Sequence, residues 1–297
     1  MTGAEHFAAA PHWEWWILGY FFFGGIAGGS YAIATLIRLF GAPADQGAAR
    51  IGYIVSFLAL IPCPVFLTVD LGQPLRFWHM LVDTSESGLA FKYWSPMSLG
   101  SWALLLFGLF SFVSFLGALG ESAFRPLGPF TRLLRGAFGS AWSVIGTVFG
   151  VFVAGYTGVL LAVSNQDVWS DAGWVLGGLF LASALTGSAA LLLLVVRSRR
   201  DVEAGTSFRL EMADRNFVVL EAILLVLFVV FVGLAGTITK LLGLYLLLWL
   251  VVLLGLAAPF ATSRLDAARR WPPLAGPVIS LLGVLALRAL VIFGAQS

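Results

Sequence analysis

Three titratable side chains of different types follow one apolar stretch within ten positions. They are Asp70, Arg76 and His79, in the sequence VFLTVDLGQPLRFWHML at 65–81. A carboxylate, a guanidinium and an imidazole can together bind polar groups and exchange protons, and imidazole is the side-chain type that titrates closest to neutral pH. A carboxylate costs up to about 2.5–3.5 kcal/mol at full membrane depth. We therefore expect Asp70 to have a partner, Arg76 or His79, or a functional role; the alternative is that it merely ends a helix.

Two other polar groups flank apolar stretches. His12 and Glu14 precede the first stretch, in HWEWW, and Tyr156 lies near the end of the fourth, in GYTGVLLAVSNQDVW at 155–169. Imidazole and phenol can donate hydrogen bonds, and a carboxylate can relay protons. The neighbouring tryptophans are typical of an aromatic belt at a membrane surface, which is how we interpret them.

The composition identifies the class of protein that must position these residues. Hydrophobic residues make up 60% of the chain and charged residues 11%, with a mean hydropathy of +0.95. These values exclude a soluble domain and indicate a polytopic membrane protein with no nucleic-acid partner. One cysteine and three histidines exclude a disulfide, a cysteine-ligated iron–sulfur cluster and a zinc ribbon within this chain. The start has no basic region before its first apolar run, so we expect the first span to be retained.

Eight apolar stretches are long enough to cross about 30 Å of hydrocarbon, which takes roughly 20 residues. The sequence therefore predicts an all-α bundle of eight transmembrane helices in a single membrane domain, residues 1–297, with a hairpin at GTITK between the sixth and seventh spans. The spans are expected at 15–37, 51–70, 97–117, 138–162, 173–196, 216–237, 241–261 and 276–295.

Basic residues are concentrated in alternate connections between these spans. Four of them lie elsewhere: Arg76, Lys92 and Lys240 on the opposite side, and Arg288 inside the eighth span. The positive-inside rule therefore predicts that both termini lie outside the cell membrane. The basic connections hold Arg38 and Arg50; Arg125, Arg132 and Arg135; Arg197, Arg199, Arg200, Arg209 and Arg215; and Arg264, Arg269 and Arg270.

This orientation places the three polar groups at one membrane boundary. The first span starts there after His12 and Glu14, the second ends there at Asp70, and the fourth approaches it with Tyr156. Prolines at 62 and 64 remove backbone donors, which predicts a kink just below Asp70 and space beside it. Glycines spaced four apart in the first and fourth spans indicate close helix packing, the alternative being a flat ring lying against bare backbone.

Two charges lie inside predicted spans and are candidates for proton relay. Glu221, about one turn into the sixth span, is either a proton-entry residue or a partner of Arg215. Arg288, in the outer half of the eighth span, is expected to face the bundle and pair with Asp70 or with the site near it.

The sequence resembles the NrfD or polysulfide-reductase membrane-subunit family, quinone-interacting subunits of molybdenum and iron–sulfur oxidoreductases. The resemblance lies in HWEWWILGYFFFGGIAGGSYAIATL at 12–36, VDLGQPLRFWHML at 69–81 and the stretch at 155–169. It implies that the chain binds menaquinone or ubiquinone in a helical pocket near the surface of a bacterial or archaeal cytoplasmic membrane. It also implies an iron–sulfur electron-transfer partner on the outer face and a molybdopterin-type catalytic subunit.

The family's quinone-binding residues map onto His12, Tyr156 and Asp70. One departure is Gln73, where the family has an arginine, so the basic role falls to Arg76, with His79 nearby. Glu14 and Asp70 are the expected proton relays to outside water.

The residue types agree with quinone chemistry, which moves two electrons and two protons and needs hydrogen-bond donors, a proton-exchanging group and an apolar slot. All three histidines lie before the first span or after the second, so a haem held between helices is not expected. Two alternatives remain. A proton- or ion-translocating channel predicts broken helices or polar groups near the midplane, and a redox-inactive anchor predicts no working site.

Overall fold

A computed structural model describes residues 12–83, 88–122, 124–199, 204–267 and 274–296. Eight helical segments in it are long and apolar enough to cross a membrane, which confirms the predicted all-α polytopic architecture. Three arginines of the predicted basic connections, Arg200, Arg269 and Arg270, lie outside the described residues.

The described residues form helices α1 to α11, joined by short 3-10 turns. Two two-residue strands, Val82–Asp83 and Gly88–Leu89, pair antiparallel between α3 and α4. The spans are α1, α2 with α3, α4, α6, α8, α9, α10 and α11. The helix bounds are α1 Trp15–Phe40, α2 Gln46–Leu60, α3 Pro62–Asp70, α4 Pro96–Ser122, α5 Gly128–Leu133, α6 Gly136–Ala162, α7 Asp167–Ala172, α8 Trp174–Arg197, α9 Ala204–Leu234, α10 Leu246–Ala267 and α11 Ala275–Ala295.

The second span is interrupted where the prolines predicted a kink. Helix α2 ends at Leu60 and α3 begins at Pro62. Neither Pro62 nor Pro64 has a backbone N–H to bond the preceding turn, so the helical hydrogen bonding lapses there. The two parts of the span therefore pack differently: α2 packs against both α1 and α4, whereas α3 packs chiefly against α1.

The sixth span begins earlier than the apolar pattern predicts. Helix α9 starts at Ala204, not near 216, and its polar first turns lie beyond the apolar stretch. The predicted hairpin is present after α9: Gly236 and Gly243 have φ of 81° and 69°, in the left-handed region that glycine tolerates, and they flank a 3-10 turn at Thr237–Leu241.

Helix α1 is the central helix and contacts α2, α3, α6, α8 and α11. Its glycines allow the backbones to approach closely. A β-carbon at Gly28 would collide with the carbonyl oxygen of Gly150 in α6, and one at Gly29 would lie 2.7 Å from the carbonyl oxygen of Ala184 in α8. The glycine faces are thus filled by neighbouring helices, as the packing interpretation predicted.

The first and last of the described residues meet at one end of the bundle, which we call the terminal end. The Trp13 amide donates to Oε1 of Gln296 at 2.6 Å, and Nε2 of Gln296 donates to the Trp13 carbonyl at 3.0 Å. The Trp13 ring stacks on Trp169, whose Nε1 donates to the carbonyl of Val291 at 2.7 Å. The first, fourth and last spans therefore close against one another there.

Ion pairs join the basic connections at the opposite end, which we call the basic end. Arg38 pairs with Glu121, Arg209 with Asp45 and Arg197 with Glu211. These contacts link α1 to α4, the start of α2 to α9, and α8 to α9. The basic residues that the sequence assigned to one side thus lie together, and that this end faces the cytoplasm remains a prediction.

Candidate functional site

An acidic group lies at the terminal end, formed by the residues just before α1 and at the end of α3. His12 Nδ1 is 3.9 Å from Oε1 of Glu14, and both side chains are mostly exposed. The Asp70 carboxylate is close enough to Glu14 for the two like charges to interact. The three residues therefore form what we call the mouth, and the sequence correctly placed them together at one end.

Asp70 does not meet either of its expected partners. In the described part of the chain it forms no ion pair with Arg76 or His79, which lie exposed on the 3-10 turn Pro74–Met80. The ring of His79 packs against Trp78 instead, with centroids 3.9 Å apart. The reason is local: Gly72 has φ 68° and turns the chain away from the axis of α3 before Arg76 is reached.

Tyr156 lies deeper, on the face of α6 that meets the start of α4. Its side chain is only 7% exposed, and its hydroxyl donates to the carbonyl of Pro96. Its ring stacks on Phe152, with centroids 5.5 Å apart, and lies against Gly100, where a β-carbon would come within 2.6 Å of it. A tyrosine is held here because α4 supplies both an acceptor and a residue without a side chain.

Two residues that the sequence analysis missed lie beside Tyr156. Tyr20 on α1 is 3% exposed and lies near Tyr156 and near Cys63 of α3. A β-carbon added at Gly24 would lie 3.6 Å from the Tyr20 ring and 3.8 Å from the Cys63 sulfur. The only sequence signal was that Tyr20 stands one turn before the first glycine of the α1 stripe.

These residues lie together below the mouth, on three different helices. The kink separates α3 from α4 and α6: among the described residues α3 has at most marginal contact with either helix. Six residues separate Glu14 from Tyr20 and seven separate Asp70 from Cys63, so the buried group lies about 10 Å below the mouth at 1.5 Å per residue. We call the region beside Tyr20, Cys63 and Tyr156, where α3 has little contact with α4 and α6, the terminal cleft.

The terminal cleft combines aromatic walls with hydrogen-bond donors. Phe66 of α3 lies 5.9 Å from Trp16 and 6.0 Å from Phe23, centroid to centroid. The hydroxyl of Tyr20 forms no hydrogen bond within the described residues, so this buried phenol has a donor to offer. A flat apolar ring carrying acceptor oxygens fits such a lining, and water at the mouth can supply or receive protons.

Arg288 and Glu221 differ from their predicted pairings. Arg288 does not reach Asp70: its Nη2 donates to the carbonyl of Phe180 at 3.3 Å, and the guanidinium lies 4.9 Å from that ring. Glu221 does not pair with Arg215, which is 3.8 Å from Glu211. Both residues lie inside the packed helices, with 0% and 2% exposure, and interact with each other.

Among the residues that the structure describes, no three His, Cys, Asp or Glu side chains are grouped as metal ligands would be. The described residues therefore offer no metal centre.

Known proteins resemble this chain over its length. The family model described as "Polysulphide reductase, NrfD" matches residues 4–297. A polysulfide reductase chain of Wolinella succinogenes is 26% identical over 311 aligned positions, covering 96% of this chain and 94% of that protein. A selenate reductase subunit of Mesobacillus selenatarsenatis is 30% identical over 92 residues, 31% of this chain and only 19% of that protein.

Proposed function

Because this chain belongs to the polysulphide reductase NrfD family, we propose that it is the quinone-binding membrane subunit of a respiratory oxidoreductase complex. Its terminal cleft would exchange electrons between membrane menaquinone or ubiquinone and an iron–sulfur partner. A polysulfide reductase chain and a selenate reductase subunit are among its relatives, which supports a membrane-bound oxidoreductase complex.

In this proposal, residues at different depths of the cleft have different roles. The quinone supplies the redox chemistry, a change of two electrons and two protons. Tyr20 and Tyr156 donate hydrogen bonds in the buried part, and Asp70 and Glu14 exchange protons with water at the mouth. His12, whose side chain is 83% exposed, acts at the same mouth. Arg76 and His79 lie exposed on the turn that follows α3, and they remain candidates for contact with the quinone at the mouth.

The electron carrier is assigned to a partner subunit. The described residues hold no metal-ligand group, and the side chains of His12 and Glu14 at the mouth are mostly exposed. We therefore propose that an iron–sulfur subunit docks there and that a molybdopterin-type catalytic subunit follows it. The predicted location is the bacterial or archaeal cytoplasmic membrane, with the terminal end outside.

One observation carries the proposal: the Tyr156 phenol is buried near the phenol of Tyr20 on α1, which has no hydrogen bond within the described residues. Replacing Tyr156 by Phe removes one hydrogen bond, usually worth about 0.5–1.5 kcal/mol net, and leaves the aromatic packing. We expect slower quinol-dependent turnover in membranes with assembly intact, measured by co-purification of the partner subunits.

Tyr245→Phe is the matched control. The Tyr245 hydroxyl also donates to a backbone carbonyl, that of Phe293 at 3.0 Å, but on α11 and away from the cleft. We expect wild-type turnover for this variant. Equal rates in wild type and both variants would favour the redox-inactive anchor.

A second candidate, proton or ion translocation, is favoured by one observation. Glu221 and Arg288, which the sequence placed inside predicted spans, are buried among the packed helices, where a conducting protein needs polar groups. Against it, α8, α9 and α11, which surround these charges, are continuous helices, whereas transporters commonly break theirs.

A further inference from the structure

Four polar side chains are buried together between α8, α9 and α11, remote from the mouth. We call Ser183, Thr186, Glu221 and Arg288 the inner cluster. None is more than 2% exposed. Thr186 lies halfway along the membrane-spanning helix α8, and the Glu221 carboxyl lies beside it. The inner cluster is therefore deep in the membrane-spanning part of the bundle, where polar groups are costly.

The hydrogen bonds available inside the protein do not satisfy this cluster. Within the described residues, no partner is found for Oε2 of Glu221, for Nε and Nη1 of Arg288, or for the hydroxyls of Ser183 and Thr186. Both hydroxyls lie beside the Glu221 carboxyl without meeting the geometry of a hydrogen bond. Buried polar atoms are nearly always bonded to protein or to ordered water.

The opposite charges of Glu221 and Arg288 face each other at a distance. They interact electrostatically, yet no direct ion pair joins them in the described part of the chain. Polar groups separated by more than a hydrogen bond are commonly bridged by water. The spacing, the two hydroxyls and the unbonded guanidinium nitrogens together form a site with several partners for water, as a buried water needs.

A second acid connects the inner cluster with the basic end. Asp214 is seven residues before Glu221 on α9, two turns along the same face, and the two carboxylates interact electrostatically. Asp214 is 3% exposed, and its Oδ1 has no hydrogen-bond partner among the described residues. It lines a cavity of about 10 Å³, roughly the space of one water, together with Arg197 and Glu211, which lie at the surface.

We propose that the inner cluster holds ordered water and that the Glu221 carboxyl is a proton-exchange site, loaded from the basic end past Asp214. A proton moves between water and a carboxylate oxygen of Glu221; no electron moves. Arg288 stays charged and anchors the water through its free N–H groups. This inference is independent of quinone binding in the terminal cleft.

The surroundings leave few other groups to exchange this proton. Helix α8 presents Ser183 and Thr186 to Glu221, and α11 presents Arg288. Helix α10 carries no charged residue between 246 and 261. On α9 itself, Asp214 is the charged group that interacts with Glu221.

Infrared spectroscopy of the purified full-length chain in lipid nanodiscs tests the proposal. Glutamate labelled isotopically in its side-chain carboxyl carbon identifies the glutamate signals in the wild type. We expect a carboxylic-acid C=O band that titrates with pH, shifts promptly on transfer to D₂O and is absent from Glu221→Gln. Asp214→Asn should keep the band and slow its deuterium exchange by at least about tenfold. This effect is smaller than the roughly hundredfold that a positioned proton-transfer group can contribute to a rate.

The controls separate hydration from general damage. Ser183→Ala should shift the frequency of the band, because a hydroxyl beside the carboxyl is lost. Ser280→Ala removes an equally buried hydroxyl that bonds the Gly255 carbonyl at 3.3 Å, away from the cluster, and should leave the band unchanged. Binding of a soluble ubiquinone analogue to Glu221→Gln should match that of the wild type, so failure of the quinone proposal would be seen separately.

Two results would overturn the proposal. The first is a wild-type protein with no titrating glutamate band, and the second is a band that does not shift in D₂O. Either result would mean that Glu221 and Arg288 form a structural charge pair without water. Since both results come from the wild type, they hold even where a variant does not fold. Unchanged exchange in Asp214→Asn would refute the route from the basic end.

Discussion

Removing one charge of the inner cluster should destabilise the protein more than removing both. Arg288→Met leaves Glu221 without an opposite charge, and Glu221→Gln does the same to Arg288, while both positions are at most 2% exposed. Breaking a buried pair costs about 3–5 kcal/mol, and a charge at the centre of a membrane helix costs about 2.5–3.5 kcal/mol. Water in the cluster offsets part of this, so we expect about 3 kcal/mol for each single variant.

The double variant Arg288→Met with Glu221→Gln leaves no unpaired charge in the bundle, so it should be more stable than the sum of the two single effects predicts. The free energy of unfolding is measured by reversible denaturant titration in mixed micelles. Lys240 and Asp167 form the control pair, 2.9 Å apart with side chains 33% and 65% exposed. Their coupling should be under about 1 kcal/mol. A double variant as unstable as the sum of its singles would show that Glu221 and Arg288 do not support each other.

Three further predictions concern orientation, the mouth and helix packing. Cysteines placed in the 125–135 and 197–209 connections should be labelled only from the cytoplasm, because arginines there set the orientation; labelling from outside would reverse it. Asp70→Asn should retain partner assembly but slow quinol-dependent turnover, and an unchanged rate would mean that this acid only ends α3. Gly28→Ala should lower stability by about 1–3 kcal/mol, since its β-carbon meets a fixed carbonyl of α6, whereas Gly233→Ala meets nothing within 4 Å and should not destabilise.

The spans were predictable because the length and apolarity of a segment are enough to identify a membrane helix. The kink was predictable too, because the missing N–H of Pro62 is a property of the residue. The start of α9 was not. Its first turns are polar, and hydropathy registers only the apolar part of a helix that continues past the membrane surface.

The sequence placed the site at one membrane boundary, but it did not predict which side chains lie together there. Topology alone brings Glu14 and Asp70 to one end, since consecutive spans alternate in direction. The proximity of Tyr20 to Tyr156 depends on how α1, α3 and α6 rotate about their axes, which no local pattern specifies. Ser183 and Thr186 gave no signal, because small hydroxyl residues are common in membrane helices and differ only in what they face.

The central position of α1 has a consequence for the order in which the protein is assembled. Translation produces α1 first, yet its Gly29 face is filled only by α8, and Gly25 lies against Arg288 of the last helix. During most of synthesis this glycine-lined helix therefore stands in lipid or in the insertion machinery without α8 and α11 against these glycines. Native packing of the first helix is complete only when the ribosome has finished the last one.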